Sequence, residues 1–148
     1  MRLDRTWIEQ HIPHQGRMCL LEQVLFWDSS CIECASGTHR ALDHPLRAHG
    51  RLGSACLLEY AAQAMAVHGA LLGALEAGAA DAARVGLLVS ARGVELRVVS
   101  LDQIAAELLI RAERQHSDQH GALYRFSVSA GERLLAQGRA GVRFGLRS

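Results

Sequence analysis

One carboxylate interrupts the longest apolar segment of the chain. Glu59 lies within residues 54–75, which are rich in Ala and Leu and contain no proline. An ionised, unpaired carboxylate is costly to bury, so such a residue is expected to be hydrogen-bonded, protonated or turned toward a cleft. The last two states suit a general acid. Gln63 follows one helical turn later and could orient the carboxyl group. The alternative from position alone is that Glu59 caps backbone amides or faces solvent.

Three histidines in two loops are candidates for a general base. His44 precedes Pro45, and a proline restricts the backbone of the residue before it, which could hold the imidazole in place. His49 lies in the same loop, and His14 follows a proline in an earlier loop. Histidine can accept a proton near neutral pH. The alternative for each is a surface histidine in a turn, and His44 is the preferred base.

The start of the predicted long helix could bind a ligand through its backbone. Ser54 is a suitable N-cap residue, and Gly50 and Gly53 before it would let a ligand approach the chain closely. The first amides of a helix lack intrahelical acceptors and lie at the positive end of the helix dipole. Such amides can polarise a carbonyl or stabilise an oxyanion. One short region could therefore supply a base, an acid and an electrophilic amide.

The sequence offers no defensible metal or cofactor site, so none is predicted. Cys31 and Cys34 form a C-x-x-C pair, but no second pair exists to complete a zinc site. The segment around them is typical of a strand, in which residues three apart point to opposite faces. The cysteines are therefore expected to be reduced and mostly buried. His44, His49 and Glu59 match no zinc-binding spacing, and no P-loop, dinucleotide fingerprint or G-x-S-x-G motif is present.

Composition limits the class of protein. The 148 residues are 49% hydrophobic and 21% charged, which is typical of a single globular domain over residues 1–148. The net charge of +1 argues against nucleic-acid binding, although the basic residues are all arginine, which suits anionic partners. The apolar segment carries Glu59, Gln63 and His68, which a membrane span would rarely do. With no apolar signal segment at the start, we expect a soluble cytoplasmic protein without membrane contact.

The apolar pattern predicts the elements that would position these side chains. A short helix over residues 5–11 and a hairpin precede the long helix, and residues 76–83 resemble a small-residue linker. Gly93 predicts a bulge or bend within a later strand. The predicted strands cover residues 19–28, 31–40, 85–100, 105–118, 122–130 and 133–145. Because the long helix is apolar on nearly every face, it must be enclosed. We therefore predict an α+β fold, with an antiparallel sheet wrapped around a long central helix.

Two segments resemble a known enzyme family. Residues 12–28, IPHQGRMCLLEQVLFWD, are similar to the opening strand of the FabZ-like 3-hydroxyacyl-[acyl-carrier-protein] dehydratases, which have the hot-dog fold. Residues 44–64, HPLRAHGRLGSACLLEYAAQA, resemble the histidine loop and the start of the central helix of that family. The segment LEYAAQAMAVHGALL is similar more narrowly to a divergent subgroup associated with aryl polyene clusters. The family loop H-F-P-G-x-P-x-x-P-G corresponds here to HPLRAHGRLG, which lacks the second and third prolines, so His14 and His49 stay alternatives to His44.

The resemblance implies a reaction and an assembly. It places His44 at the catalytic histidine of the family, Glu59 at its catalytic carboxylate and Gln63 at its glutamine one turn further on. It implies a double hot-dog dimer, in which the histidine comes from one protomer and the carboxylate from the other. The implied reaction converts a (3R)-hydroxyacyl thioester to a trans-2-enoyl thioester without a cofactor. The histidine removes the α-proton, Glu59 protonates the leaving hydroxyl, and an amide near Gly53 or Ser54 polarises the carbonyl.

The implied substrate is bound to an acyl carrier protein. Carrier proteins are acidic, and Arg47 and Arg51 are candidates to contact the carrier protein or its phosphopantetheine. Two other functions stay open at this point. One is a hot-dog thioesterase in which Glu59 activates water. The other is a non-catalytic subunit that pairs with an active hot-dog chain, which the altered loop around His44 favours. The partner is therefore either a second copy of this chain or another hot-dog chain.

Overall fold

A computed structural model describes residues 3–77 and 86–144. Both predicted helices are present, and the long one begins with a short 3₁₀ turn, Ser54–Cys56, before its α-helical part. The six predicted strands are also present, and the first four are shorter than predicted because residues 19–22, 37–40, 97–100 and 105–107 lie outside them. Of the predicted linker, residues 76 and 77 belong to the long helix and the rest lies outside the described residues. The elements are α1 Arg5–His11, β1 Gln23–Trp27, β2 Cys31–Ser36, α2 Leu57–Ala77, β3 Gly86–Leu96, β4 Leu108–Ser117, β5 Gly121–Ala130 and β6 Arg133–Phe144.

The strands form one antiparallel sheet in the order β1-β2-β4-β5-β6-β3. The chain after β2 leaves the sheet to form the loop and α2, then returns at the far edge as β3. This arrangement confirms the predicted α+β class with a central helix. The bulge predicted at Gly93 is confirmed as well. The register of β3 against β6 shifts between Arg92 and Glu95, and Gly93 has a φ of 59°, a value that favours glycine.

The core lies between α2 and the inner face of the sheet. Burial alternates along β4 and β5, so each strand turns every second residue toward the helix. Tyr60 and Met65 of α2 and Ile110 and Phe126 of the sheet are all 2% exposed or less. The helical segment Ser54–Leu75 is long and apolar enough to cross a membrane, but 67% of its most apolar stretch is buried inside the protein. It is therefore the core helix and not a membrane span.

A buried histidine links α2 to the sheet. His68 is fully buried, and its Nε2 donates to the Asp28 carbonyl at 2.8 Å. Its Nδ1 accepts a hydrogen bond from the Tyr124 hydroxyl at 2.6 Å. Both ring nitrogens therefore have partners with the imidazole neutral, and burial lowers the pKa of His68. This network accounts for a polar residue in the otherwise apolar segment.

Cys31 and Cys34 of the C-x-x-C pair lie on opposite faces of β2 as free thiols. Cys34 is fully buried on the same face of β2 as Ile32, whereas Cys31 belongs to the opposite face of the strand. All four cysteines are free thiols. Burial raises the pKa of Cys34 and of Cys56 to about 12, so neither is a thiolate near neutral pH. Within residues 3–77 and 86–144, no cluster of three His, Cys, Asp or Glu side chains could hold a metal ion.

Candidate active site

Glu59 lies at an open cleft in the first turn of α2. The side chain is partly exposed, and it lines a cleft of about 580 Å³. The walls come from the loop before α2 and from Val99 and Ser100, which follow β3. No residue of the described chain forms an ion pair or a hydrogen bond with the carboxylate. Glu59 therefore faces the cleft without capping a backbone amide, and the carboxyl group is available to a ligand.

Two backbone amides lie beside this carboxylate. Gly53 and Ala55 are exposed and line the same cleft. Among the described residues, neither of their N–H groups has a hydrogen-bond acceptor. They precede α2, where unsatisfied amides and the helix dipole together favour a partial negative charge. A carbonyl oxygen bound between them would be polarised in the way that the sequence predicts.

Ser54 has a different role from the predicted one. The prediction that Ser54 caps the long helix is wrong, because the residue that precedes the 3₁₀ turn is Gly53 and no side chain caps this turn. The Ser54 N–H donates to the Val99 carbonyl at 3.0 Å. Since that amide is already satisfied, it cannot bind a substrate carbonyl. The bond instead fixes the start of the helix against the chain that follows β3.

His44 is buried and hydrogen-bonded through both ring nitrogens. It is 5% exposed, and its Nδ1 accepts from the Leu46 N–H at 3.1 Å. Because Nδ1 acts as an acceptor, the proton of the neutral ring lies on Nε2. Nε2 is 3.0 Å from the Tyr60 hydroxyl and donates to it. The ring therefore has no free lone pair for a substrate proton.

The hydrogen bonds continue from His44 to the backbone of Leu20, which precedes β1. Tyr60 donates its hydroxyl proton to Thr38 Oγ1 at 2.7 Å, and Thr38 Oγ1 donates to the Leu20 carbonyl at 2.7 Å. We call His44, Tyr60, Thr38 and the Leu20 carbonyl the His44 chain. Burial lowers the pKa of His44, and the nearby Arg47 lowers it further. The assignment of the base to His44 stays a prediction, and this geometry argues against it.

Gln63 also makes structural contacts in place of the predicted one. It is fully buried, with Oε1 accepting from the Leu20 N–H at 2.8 Å and Nε2 donating to the Met18 carbonyl at 2.8 Å. Every polar atom of the amide is thus used to attach α2 to residues 18–20. Gln63 does not contact Glu59, so it cannot orient that carboxyl group in this structure.

The other two candidate histidines do not reach the cleft either. His49 is exposed in a turn closed by bonds between Ala48 and Arg51, and its φ of 53° lies in the left-handed region. His14 is partly buried, and its Nδ1 has no partner among the described residues. Neither lines the cleft of Glu59, and neither does His44. The structure therefore brings the acid and the amides together without a histidine from this chain.

Of the two arginines predicted to contact a carrier protein, Arg47 makes contacts within the chain and Arg51 is exposed. Arg47 donates to the carbonyls of Ala41 and His39 and pairs with Asp102 at 2.8 Å. Its guanidinium therefore holds the loop together and is not available to a carrier protein. The hydrogen bond from Arg47 also lowers the pKa of Asp102. Arg51 is exposed and lines the cleft of Glu59, so it stays a candidate for anion binding.

Sequence reasoning missed Tyr60 and Thr38, which fix His44 in place. A tyrosine next to the carboxylate was a usable signal, because a buried tyrosine hydroxyl normally requires a partner. Thr38 is separated from Tyr60 by 22 positions, and no spacing rule connects two such residues. Asp102 was missed for the same reason, although it accepts from both Arg47 and the Leu52 N–H.

A six-stranded antiparallel sheet around one long helix, with a carboxylate in the first turn of that helix, defines a hot-dog protein. Solved structures confirm this class. The dehydratase heterocomplex ApeI:P from Xenorhabdus doucetiae matches with a TM-score of 0.79 and 23% identity over 95% of this chain and 91% of the matched chain. Zebra fish thioesterase superfamily member 2 matches with a TM-score of 0.63 and 15% identity over 95% of both chains. A hypothetical thioesterase with coenzyme A from Streptococcus pneumoniae TIGR4 matches with a TM-score of 0.59 and 14% identity, over 85% of this chain and 88% of the other.

The family follows from the sequence itself. The model of the ApeP dehydratase family matches residues 6–143. The chain therefore belongs to the ApeP-like dehydratases, which agrees with the resemblance to the aryl-polyene subgroup. No curated protein sequence matches significantly. At these identities the solved structures establish the fold, and the family model establishes the family.

Proposed function

We propose that this chain is a subunit of an enzyme that removes water from a (3R)-hydroxyacyl thioester on an acyl carrier protein, in fatty-acid or aryl-polyene-type biosynthesis. The main observation that supports this proposal is the unpaired Glu59 carboxylate, which lies in a cleft that also contains the free amides of Gly53 and Ala55. An acid beside an electrophilic pair of amides is the arrangement that such an elimination requires. Membership of the dehydratase family supports the same reaction. We place the reaction in the cytoplasm.

In the proposed elimination, the two backbone amides, Glu59 and the base each have one role. The amides of Gly53 and Ala55 bind the thioester carbonyl oxygen and stabilise the negative charge that grows there when the α-proton leaves. The electrons of the α C–H bond form the new C=C bond while the β C–O bond breaks. Glu59 gives its proton to the departing hydroxyl, which leaves as water. The base becomes protonated and Glu59 becomes ionised, and a return of the proton through solvent restores both groups.

The base comes from a second hot-dog chain in this proposal. Both nitrogens of His44 are occupied, and no candidate histidine of this chain lines the cleft. A second copy of the chain would supply a His44 that is occupied in the same way, so a homodimer could not use His44 as its base. The similar ApeI:P dehydratase is a heterocomplex, and this supports a mixed dimer here. Such a dimer would pair Glu59 of this chain with a histidine of its partner.

Two exposed surfaces support pairing with another hot-dog chain. One side of α2 is left partly exposed and consists mostly of small residues, which allow a second helix to approach closely: Ala62, Ala66, Gly69 and Gly73. The edge strand β3 exposes Val89 by 61%, and Val99 beyond it is 80% exposed. An apolar sheet edge and an uncovered side of the core helix are features that a partner would bury.

The test compares the chain alone with the chain bound to a hot-dog partner of the ApeI type. Each is given the 3-hydroxybutyryl thioester of pantetheine, and formation of the conjugated enoyl thioester is followed by absorbance. We expect the complex to turn over and the isolated chain to be inert. Turnover by the isolated chain would place the base within this chain and refute the mixed dimer. Release of free thiol without enoyl product would show a thioesterase and refute the dehydratase proposal.

A further inference from the structure

Three arginines lie side by side on the outer face of the sheet, which is the face turned away from α2. Arg92 of β3 is the register partner of Arg139 of β6, and Arg139 is the register partner of Arg125 of β5. All three are exposed and line one open cleft of about 560 Å³. Because adjacent strands are about 4.8 Å apart, the three positions span about 10 Å across the strands. We call these three residues the arginine row.

The arginine row has no acidic partner within the described chain. Glu113 is the register partner of Arg125, but the bridge it makes is to Arg111, at 3.9 Å. Arg111 is in turn held by Glu33 at 2.6 Å. Like charges directly opposite each other on neighbouring strands are destabilising. The Arg92–Arg139 and Arg139–Arg125 pairs are therefore repulsive, and a negatively charged partner would offset that repulsion.

We propose that the arginine row is a docking surface for an acidic helix of a protein partner, lying across the strands. Residues i, i+4 and i+7 of a helix share one face, and the first and last are about 10.5 Å apart along the axis. Three glutamates at these positions therefore match the length of the row. Each guanidinium can bind a carboxylate through two parallel hydrogen bonds.

An apolar residue beside the row favours a protein over other anions. Leu123 is two residues from Arg125 on the same outer face of β5 and is 53% exposed, so an amphipathic helix could bury it while its acids pair with the row. Binding of single-stranded nucleic acid relies on aromatic stacking. The one aromatic residue of this cleft, Phe126, is buried toward the core. The carboxylates of Glu33 and Glu113 at one end would repel a continuous anionic surface such as a membrane.

The experiment uses a labelled alanine-based helical peptide with glutamates at i, i+4 and i+7. A second peptide has the same composition, with the glutamates spread around the helix. Fluorescence anisotropy gives both affinities at about 50 mM salt, where surface charges are weakly screened. We expect the aligned peptide to bind at least about tenfold more tightly than the spread one. Each of Arg139→Gln and Arg125→Gln should weaken the aligned peptide about fivefold.

A matched control separates the row from net charge. Arg143 is exposed on the same strand and face as Arg139 but lies outside the cleft, so Arg143→Gln makes the same change in charge. It should alter the affinity by less than about twofold. Urea unfolding of each variant checks that the fold is intact. The proposal would be overturned if the two peptides bound equally or not at all. It would also be overturned if Arg143→Gln weakened the aligned peptide as much as Arg139→Gln does. Tighter binding to phosphatidylserine vesicles or to a single-stranded oligonucleotide would overturn it as well.

Discussion

Replacing Tyr60 by phenylalanine removes one buried oxygen from the centre of the His44 chain. Tyr60 is fully buried, accepts from His44 Nε2 at 3.0 Å and donates to Thr38 Oγ1 at 2.7 Å. The variant loses two hydrogen bonds, each with a net value of about 1 kcal/mol, and leaves a buried N–H of His44 without an acceptor, which adds to the cost. Since the ring itself stays, no cavity forms. We expect a loss of about 2–3 kcal/mol in the free energy of unfolding.

Urea unfolding followed by circular dichroism measures this loss. With an m-value of about 2 kcal/mol per molar urea, the midpoint should fall by roughly 1–1.5 M at unchanged m. Tyr124→Phe is the matched comparison, because the Tyr124 hydroxyl makes a single hydrogen bond, to His68. Its effect should be about half as large. A loss below about 0.5 kcal/mol for Tyr60→Phe, or one no greater than that of Tyr124→Phe, would refute the view that Tyr60 holds His44 in place.

Burial lowers the pKa of His39, His44 and His68, so below about pH 6.5 the unfolded chain binds protons that the folded chain does not. Each histidine should therefore remove up to about 1.4 kcal/mol of stability per pH unit below that point; equal unfolding free energies at about pH 7.5 and 5.5 would contradict this. Gln63→Leu leaves the Leu20 and Met18 backbone groups unpaired and should cost about 2–4 kcal/mol in urea unfolding, whereas a cost below about 0.5 kcal/mol would not fit. Gly53→Ala should leave the free energy of unfolding unchanged, because φ at this residue is −69° and an added methyl group meets open space. The methyl group would enter the cleft, however, and should lower kcat of the assembled enzyme about 10- to 100-fold. An unchanged kcat would contradict the role of this amide.

The fold could be predicted because its signals are local. An apolar segment free of proline identified the central helix, and period-two alternation in segments such as residues 122–130 identified the strands. Gly93 was recognisable as a bulge because glycine tolerates positive φ. The α-helical part of the long helix begins three residues later than predicted, since Ser54 has N-cap chemistry but forms part of a 3₁₀ turn instead. Element ends depend on such tertiary contacts, here the bond from Ser54 to Val99.

The candidate site could be predicted only in part. A carboxylate in an apolar helix is conspicuous, and Glu59 does face a cleft. The roles of His44 and Gln63 depend on which atoms they meet, and those atoms belong to Tyr60 and to residues 18–20, far away in the sequence. Sequence spacing carries no information about such contacts. Resemblance to a family indicates which sequence position corresponds to the catalytic histidine. Whether the imidazole at that position has a free lone pair depends on its hydrogen-bond partners, which the resemblance does not reveal.

The central claim is that Glu59 of this chain is the acid and that His44 is a structural residue. The most direct test measures kcat of the complex with its hot-dog partner for two variants of this chain, Glu59→Gln and His44→Gln. Glutamine at 44 retains an N–H donor for Tyr60, and urea unfolding confirms that each variant is folded. We predict a loss of at least about 100-fold for Glu59→Gln and a change within about threefold for His44→Gln. A folded but inactive His44→Gln complex, or an active Glu59→Gln complex, would contradict the account.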